Sequence, residues 1–237
     1  MITIRRAIQR QHTTDSRQDV RLSFYPEDEL RLVEDGFGVL QVFNEIRLAP
    51  GADMAPRSAE EAEVFTYVID GSLAQEDSRG FSGVLLVGEF QRMTSGLRVR
   101  ISERNASEVD WAHIFRFSLT PSEAELTSTR EQKFFSVAER RGSLRIVGSP
   151  DGRKGSLRCH LNALIYSAIL DEGQHVVHPL ASGRIAWLHI VSGEAKLGDV
   201  IVSAGDGAGV SDEPTVSLTA REATEILLVD IERRSDR

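Results

Sequence analysis

A chain of 237 residues can bury one large core or two modest ones. With 41% hydrophobic and 27% charged residues it has an ordinary globular composition, and its longest apolar runs, such as Ala163–Leu170, are far too short for a helical membrane span. A net charge of −8, with arginines scattered among carboxylates, argues against direct nucleic-acid binding, which draws on clustered Lys and Arg.

In chain order, Met1-Ile-Thr-Ile-Arg-Arg-Ala lacks an apolar stretch followed by a small-residue cleavage site, so a cytoplasmic protein is expected. Residues 38–48, 63–69 and 156–166 are rich in β-branched and aromatic side chains and bounded by Gly, Pro or Asp, which predicts strands. Turn chemistry recurs between them, at Asp70-Gly71, Ser78-Arg-Gly80, Val87-Gly88, Asp151-Gly152, Ser192-Gly193 and Ala204-Gly205-Asp206-Gly207. The glycine-rich 205–209 stretch is read as a turn. Only residues 122–141 resemble a helix or irregular connector, with Thr120-Pro-Ser-Glu123 as a helix start. The organisation expected is a domain over residues 1–125, a linker over 126–141 and a second domain over 142–237, both all-β.

An internal repeat supports two domains. Leu48-Ala-Pro-Gly51 precedes Val68-Ile-Asp-Gly71 by 20 positions at the glycines, and Leu170-Asp-Glu-Gly173 precedes Ile190-Val-Ser-Gly193 by the same 20. A further glycine-acid turn follows in each half, Val87-Gly-Glu89 and Ala204-Gly-Asp206, after 17 and 12 positions. The halves share a plan and differ in loop length.

Leu48-Ala-Pro-Gly51, Glu63-Val-Phe-Thr-Tyr-Val-Ile-Asp-Gly71, Asp77-Ser-Arg-Gly80, Val87-Gly-Glu-Phe-Gln-Arg-Met-Thr-Ser-Gly96 and Ser102-Glu103 together resemble the metal-site segment of the pirin family, within the cupin superfamily. The resemblance implies a bicupin, two antiparallel β-barrel (cupin or jelly-roll) domains in tandem. It places the pirin histidine pair on Arg57 and Ala59 and the third histidine on Ile101; only the fourth ligand, Glu103, remains. A Pro-Arg in place of the histidine pair is most similar to the YhaK type, a bicupin without the metal centre.

Transition-metal sites at neutral pH want imidazole or thiolate ligands, and one carboxylate beside an isoleucine supplies neither, so no metal and no cofactor is expected. In a regular strand Leu97, Val99, Ile101 and Glu103 share one face, directing Glu103 inward among apolar neighbours. A buried carboxylate must be protonated or find a cation, and Arg57 is the expected partner; the alternative places both at a solvated barrel mouth. Cys159, the single cysteine, is either a buried inert thiol beside Leu157 and Leu161 or, if accessible near Arg158, a reversible oxidation site. His175 and His178 lie three apart and so face opposite ways on a strand, unlike a ligand pair. His160, next to Cys159, would face the opposite way on a strand rather than form a thiol-imidazole couple, His189 enters only as a neighbour of the His175 and His178 reading, and His12, His113 and Trp111 need only core or surface roles. The functional expectation is a non-catalytic small-molecule-binding or regulatory (stress-response) protein, with a small molecule or anion in the first barrel, a possible protein partner, no nucleic acid and no membrane. The alternative is a metal-dependent oxygenase resembling quercetin 2,3-dioxygenase.

Overall fold

The computed structural model describes residues 1–24, 36–55, 57–58, 62–95, 99–120 and 128–233, with backbone alone for Arg57, Ser58 and Ser95. Strands dominate, and the contacts divide the chain into two compact units. The first unit runs through the described parts of Gln11–Glu27 and Leu40–Phe135; the second takes those of Met1–Arg10, Asp28–Val39 and Ser136–Arg237.

Each unit packs a seven-stranded sheet against a four-stranded one. In the first unit the large sheet runs Thr129–Phe134, Glu89–Ser95, Ala62–Asp70, Ala112–Leu119, Leu40–Leu48, Gln18–Leu22, Gln11–Thr14, and the small one Arg57–Ser58, Arg100–Asn105, Ser72–Asp77, Ser82–Leu86. In the second unit the orders are Ile2–Arg5, Gly207–Val210, Arg184–Ser192, Thr224–Glu232, Ala163–Leu170, Arg145–Ser149, Leu157–Arg158, and His175–Pro179, Thr215–Ala220, Glu194–Leu197, Val200–Ser203. The small sheets and the four central strands of the large ones share one topology, while the outer strands of the large sheets come from different places in the chain. Pairing is antiparallel except between Arg145–Ser149 and Leu157–Arg158.

The expectation of closed β-barrels is corrected by these orders. Every sheet runs between two different edge strands, and among the described residues no ladder joins the last strand to the first. Inward-outward alternation is the same for a sandwich and a barrel, so the sequence pattern carries no information on closure.

The repeated glycines sit at equivalent hairpins. Gly71 and Gly193 adopt φ of +72° and +80°, and a Cβ on either would run into a backbone carbonyl, of Trp111 or of Ala223. The unequal second spacing comes from hairpin length, since Ser72–Asp77 with Ser82–Leu86 is longer than Glu194–Leu197 with Val200–Ser203.

Three local readings are revised. Residues 156–166 are not one strand: Leu157–Arg158 is a short edge strand, and a new strand starts at Ala163. The glycines at 207 and 209 form a strand rather than a turn, because Trp187 and Phe37 pack against this stretch and leave no room for a Cβ. Of the segment read as a linker, Thr129–Phe134 is a strand of the first unit, and Val137–Arg140 is one helical turn opened by a Ser136–Glu139 capping box. The helix start expected at Pro121, Ser122 and Glu123 lies outside the described residues. No described helix is long and apolar enough to cross a membrane.

Candidate functional site

Arg100–Asn105 crosses the small sheet of the first unit with strict alternation: Ile101, Glu103 and Asn105 are buried, and Arg100, Ser102 and Arg104 are exposed. Val99, just upstream, is buried too. Glu103 is therefore directed between the sheets, where Ile101 packs with Val64, Met93 and Val99. A surface depression of about 130 Å³ touching this strand is lined by Asp53, Ala74, Glu76, Ser102, Glu103 and Arg104. Ala74 and Glu76 alternate with buried Leu73 and Gln75, so it opens on the outward face, away from the Glu103 carboxylate.

The cation beside Glu103 is Arg116. Its Nη2 donates to Glu103 Oε1 at 2.7 Å, with the two side chains 8% and 2% exposed, and Gln75 Nε2 donates to the same oxygen at 2.8 Å. Arg116 comes from Ala112–Leu119 in the facing large sheet, and Gln75 from the strand hydrogen-bonded to Arg100–Asn105, directly opposite Glu103. One carboxylate thus ties both sheets together. The expected Arg57 partner is placed only by its backbone, which pairs with Ile101, and Ala59 lies outside the described residues.

Sequence reasoning missed Arg116, although a signal was present. In His113-Ile-Phe-Arg-Phe-Ser-Leu119 an arginine interrupts an otherwise apolar strand, sharing the parity of buried Ile114. Such an arginine faces the core and needs a carboxylate there. The alternate residues Phe115 and Phe117 occupy the opposite face, where Phe117 stacks on Phe43 and Phe65.

The duplicate unit shows what the fold itself requires. Register counted from the repeated glycines puts Leu218, Leu197 and Leu228 where the first unit has Glu103, Gln75 and Arg116. These leucines belong to one continuous apolar core. In the first unit that core is split into an Ile46, Leu48, Val68, Leu73, Leu85, Ala112, Ile114 cluster and a Val64, Met93, Val99, Ile101 cluster, and the polar group separates them. The sandwich does not need an ion pair at this place.

The donor set does not suit a pirin-type metal. Of the four positions to which the resemblance assigns ligands, Ile101 offers no donor atom, Arg57 carries a cation, and Glu103 already binds a guanidinium. Among the described residues no group of three or more His, Cys, Asp or Glu is placed to hold a metal ion.

The other candidates have local partners. His175 is exposed and His178 buried, on opposite faces as the spacing requires. His178 Nε2 lies 2.8 Å from Asp230 Oδ2, whose other oxygen accepts from Arg184 Nε at 2.6 Å, and the Tyr166 ring lies 4.8 Å from the imidazole. Desolvation raises the Tyr166 pKa above its ordinary 10.0. His113 pairs with Glu45 at 3.0 Å and His12 with Asp19 at 3.1 Å. Cys159 is 3% exposed, its thiol within reach of the Leu161 and Ala163 carbonyls at 3.4 and 3.6 Å, while Arg158 and His160 face solvent.

Comparison with known proteins agrees with this duplicated architecture. The pirin family model matches residues 5–117, and the model of the quercetinase C-terminal cupin domain matches residues 146–231. A curated relative, quercetin 2,3-dioxygenase of Escherichia coli K12, is 32% identical over 196 residues, covering 83% of this chain and 84% of its own length. The solved structure of bacterial pirin YhhW from E. coli in complex with nickel(II) is 31% identical, with a TM-score of 0.91 over 99% of this chain and 100% of that one. E. coli YhaK superposes with a TM-score of 0.75 at 24% identity, over 94% and 93% of the two chains, a likeness of fold alone. With two cupin-type units and no metal-binding cluster among its described residues, this chain belongs to the pirin family.

Proposed function

We propose that this protein is a metal-free binding or regulatory pirin of the kind first suggested by the YhaK resemblance, and that the Glu103–Arg116 ion pair occupies the place a metal takes in metal-bearing relatives. One observation carries the reading: Glu103 accepts from both Arg116 and Gln75, one from the facing sheet and one from its own. A divalent ion would have to displace a guanidinium held at 2.7 Å and would gain a single carboxylate in return. The protein then binds a small molecule in the first unit, and its output is a partner contact rather than turnover. The reading places it in the cytoplasm, where the lone buried thiol of Cys159 stays reduced.

The relative named quercetin 2,3-dioxygenase keeps an oxygenase as the second reading. That chemistry belongs to the metal more than to the fold, so it stands or falls with metal binding. Elemental analysis of purified protein, followed by nickel(II) titration and a flavonol turnover assay, separates the two. We expect no stoichiometric transition metal and no turnover after nickel addition; stoichiometric nickel with flavonol cleavage refutes the binding reading.

A further inference from the structure

We propose that the depression on the outer face of the first unit's small sheet binds a free α-amino acid with an apolar side chain. Arg104 takes its carboxylate, Glu76 and Ser102 take its ammonium group, and its side chain lies toward Val84. The site is on the far side of the strand from the Glu103 carboxylate, so it goes beyond the metal-free reading and does not depend on it.

Strand register lays out this face. Arg104 stands opposite Ala74, Ser102 opposite Glu76, and Ala74 in turn opposite Val84. Directly opposed residues share a face, here the outward one, since Leu73, Gln75, Ile101 and Glu103 are the buried alternates. Arg104 and Glu76 thus occupy one diagonal of a square, and the two small residues Ala74 and Ser102 occupy the other. Those small side chains leave the depression of about 130 Å³, and Asp53, bridged to Arg104, bounds it on the next strand. Such a volume has room for several waters, and so for the head group of an amino acid.

Diagonal neighbours on a sheet face are within reach of long side chains, so an Arg and a Glu placed in this way can pair. These two do not. Among the described residues Arg104 meets one carboxylate, that of Glu108 at 3.8 Å, which is beyond hydrogen-bonding distance, and Glu76 meets no cation. Asp53 is committed to Arg17, at 3.3 Å. An open cation and an open anion are therefore held apart, with a hydroxyl between them. A zwitterion answers both at once, whereas a plain amine leaves Arg104 without an anion and a plain carboxylate meets Glu76. Beside Ala74, Val84 is 44% exposed, and Leu86, opposite Ser72 on the same face, is 55% exposed. They give the ligand's side chain an apolar surface to cover.

The second unit shows the same face built differently. In matching register Lys196 takes the place of Ala74, and Thr219 that of Arg104. His175 stands where the first unit has Asp53, and its Nδ1 lies 2.9 Å from Thr219 Oγ1. A long cationic side chain thus occupies the position that Ala74 leaves open, and the arginine at the rim is gone. The arrangement in the first unit is not a requirement of the sheet.

The test uses the full chain, ¹⁵N-labelled, with the backbone amides of Ala74 and Ser102 and the Arg104 Nε–H followed by NMR. The probes are L-leucine, glycine, which lacks the side chain, and the two half-ligands 3-methylbutylamine and 4-methylpentanoate. We expect saturable shifts with L-leucine in the millimolar range of a small ligand in an open site. Glycine and each half-ligand should bind about fivefold more weakly, the loss of one exposed ion pair or of the apolar contact. Arg104→Thr and Glu76→Gln should each weaken L-leucine binding by a similar factor, and Ala74→Lys, which copies Lys196, should remove it. No saturable response to L-leucine overturns the proposal. So does any of the other three probes binding as well as L-leucine, or unchanged affinity in folded Ala74→Lys protein.

Discussion

Arg116 offers the sharpest perturbation because the chain carries its own control. Unit charges 4 Å apart attract by about 4 kcal/mol at an effective dielectric near 20, and desolvation of both groups offsets most of that. Removing one partner forfeits the attraction and keeps the other's desolvation cost, so Arg116→Leu and Glu103→Leu should each destabilise the first unit by about 3–5 kcal/mol. Glu103→Leu/Arg116→Leu/Gln75→Leu instead copies Leu218, Leu228 and Leu197, which sit in the second unit at 1% exposure each. The triple variant should fall within about 1 kcal/mol of the parent or exceed it, as replacements of buried ion pairs by apolar groups do. Urea titration read by hydrogen exchange in Arg100–Asn105 and Ala112–Leu119 isolates this unit, while peptides of Arg184–Ser192 serve as an internal reference. A triple variant as unstable as either single, or an Arg116→Leu variant within about 1 kcal/mol of the parent, refutes the reasoning.

Asp206, 5% exposed, accepts from Arg6 Nη1 and the Ala7 amide at 2.7 Å each, so Asp206→Ala should cost the second unit about 2–3 kcal/mol, measured by urea denaturation followed at buried Trp187. Iodoacetamide should label Cys159 only as fast as the second unit opens, giving rates that rise with urea; rapid labelling of native protein would show that the thiol is accessible. The Ser136 backbone amide, then its hydroxyl, holds the Glu139 carboxyl below its ordinary 4.5. A depressed folded-state value means that this cap contributes fully above the unfolded pKa and is lost as pH falls through the folded one, a window that NMR titration of Glu139 should place below 4.5.

Periodicity made much of this legible. The alternation that buried Ile101 and Glu103 and the opposite faces of His175 and His178 follow from the two-residue period of a strand, a local property. The 20-residue glycine spacing marked the duplication because each glycine sits at a hairpin where a side chain would strike backbone. The resemblance to pirins drew attention to Glu103, whose inward direction the strand then shows.

By itself, the sequence determined that this is a duplicated all-β chain and that the carboxylate of Glu103 faces inward. Tertiary structure alone decided who meets that carboxylate, since Arg116 and Gln75 reach it across a sheet-to-sheet gap and a strand ladder that no spacing along the chain encodes. It also decided that the sheets remain open, and that a polar group in one unit answers an apolar one in the other. Parity tells each strand which way its side chains point; only the register between strands tells them what they will find there.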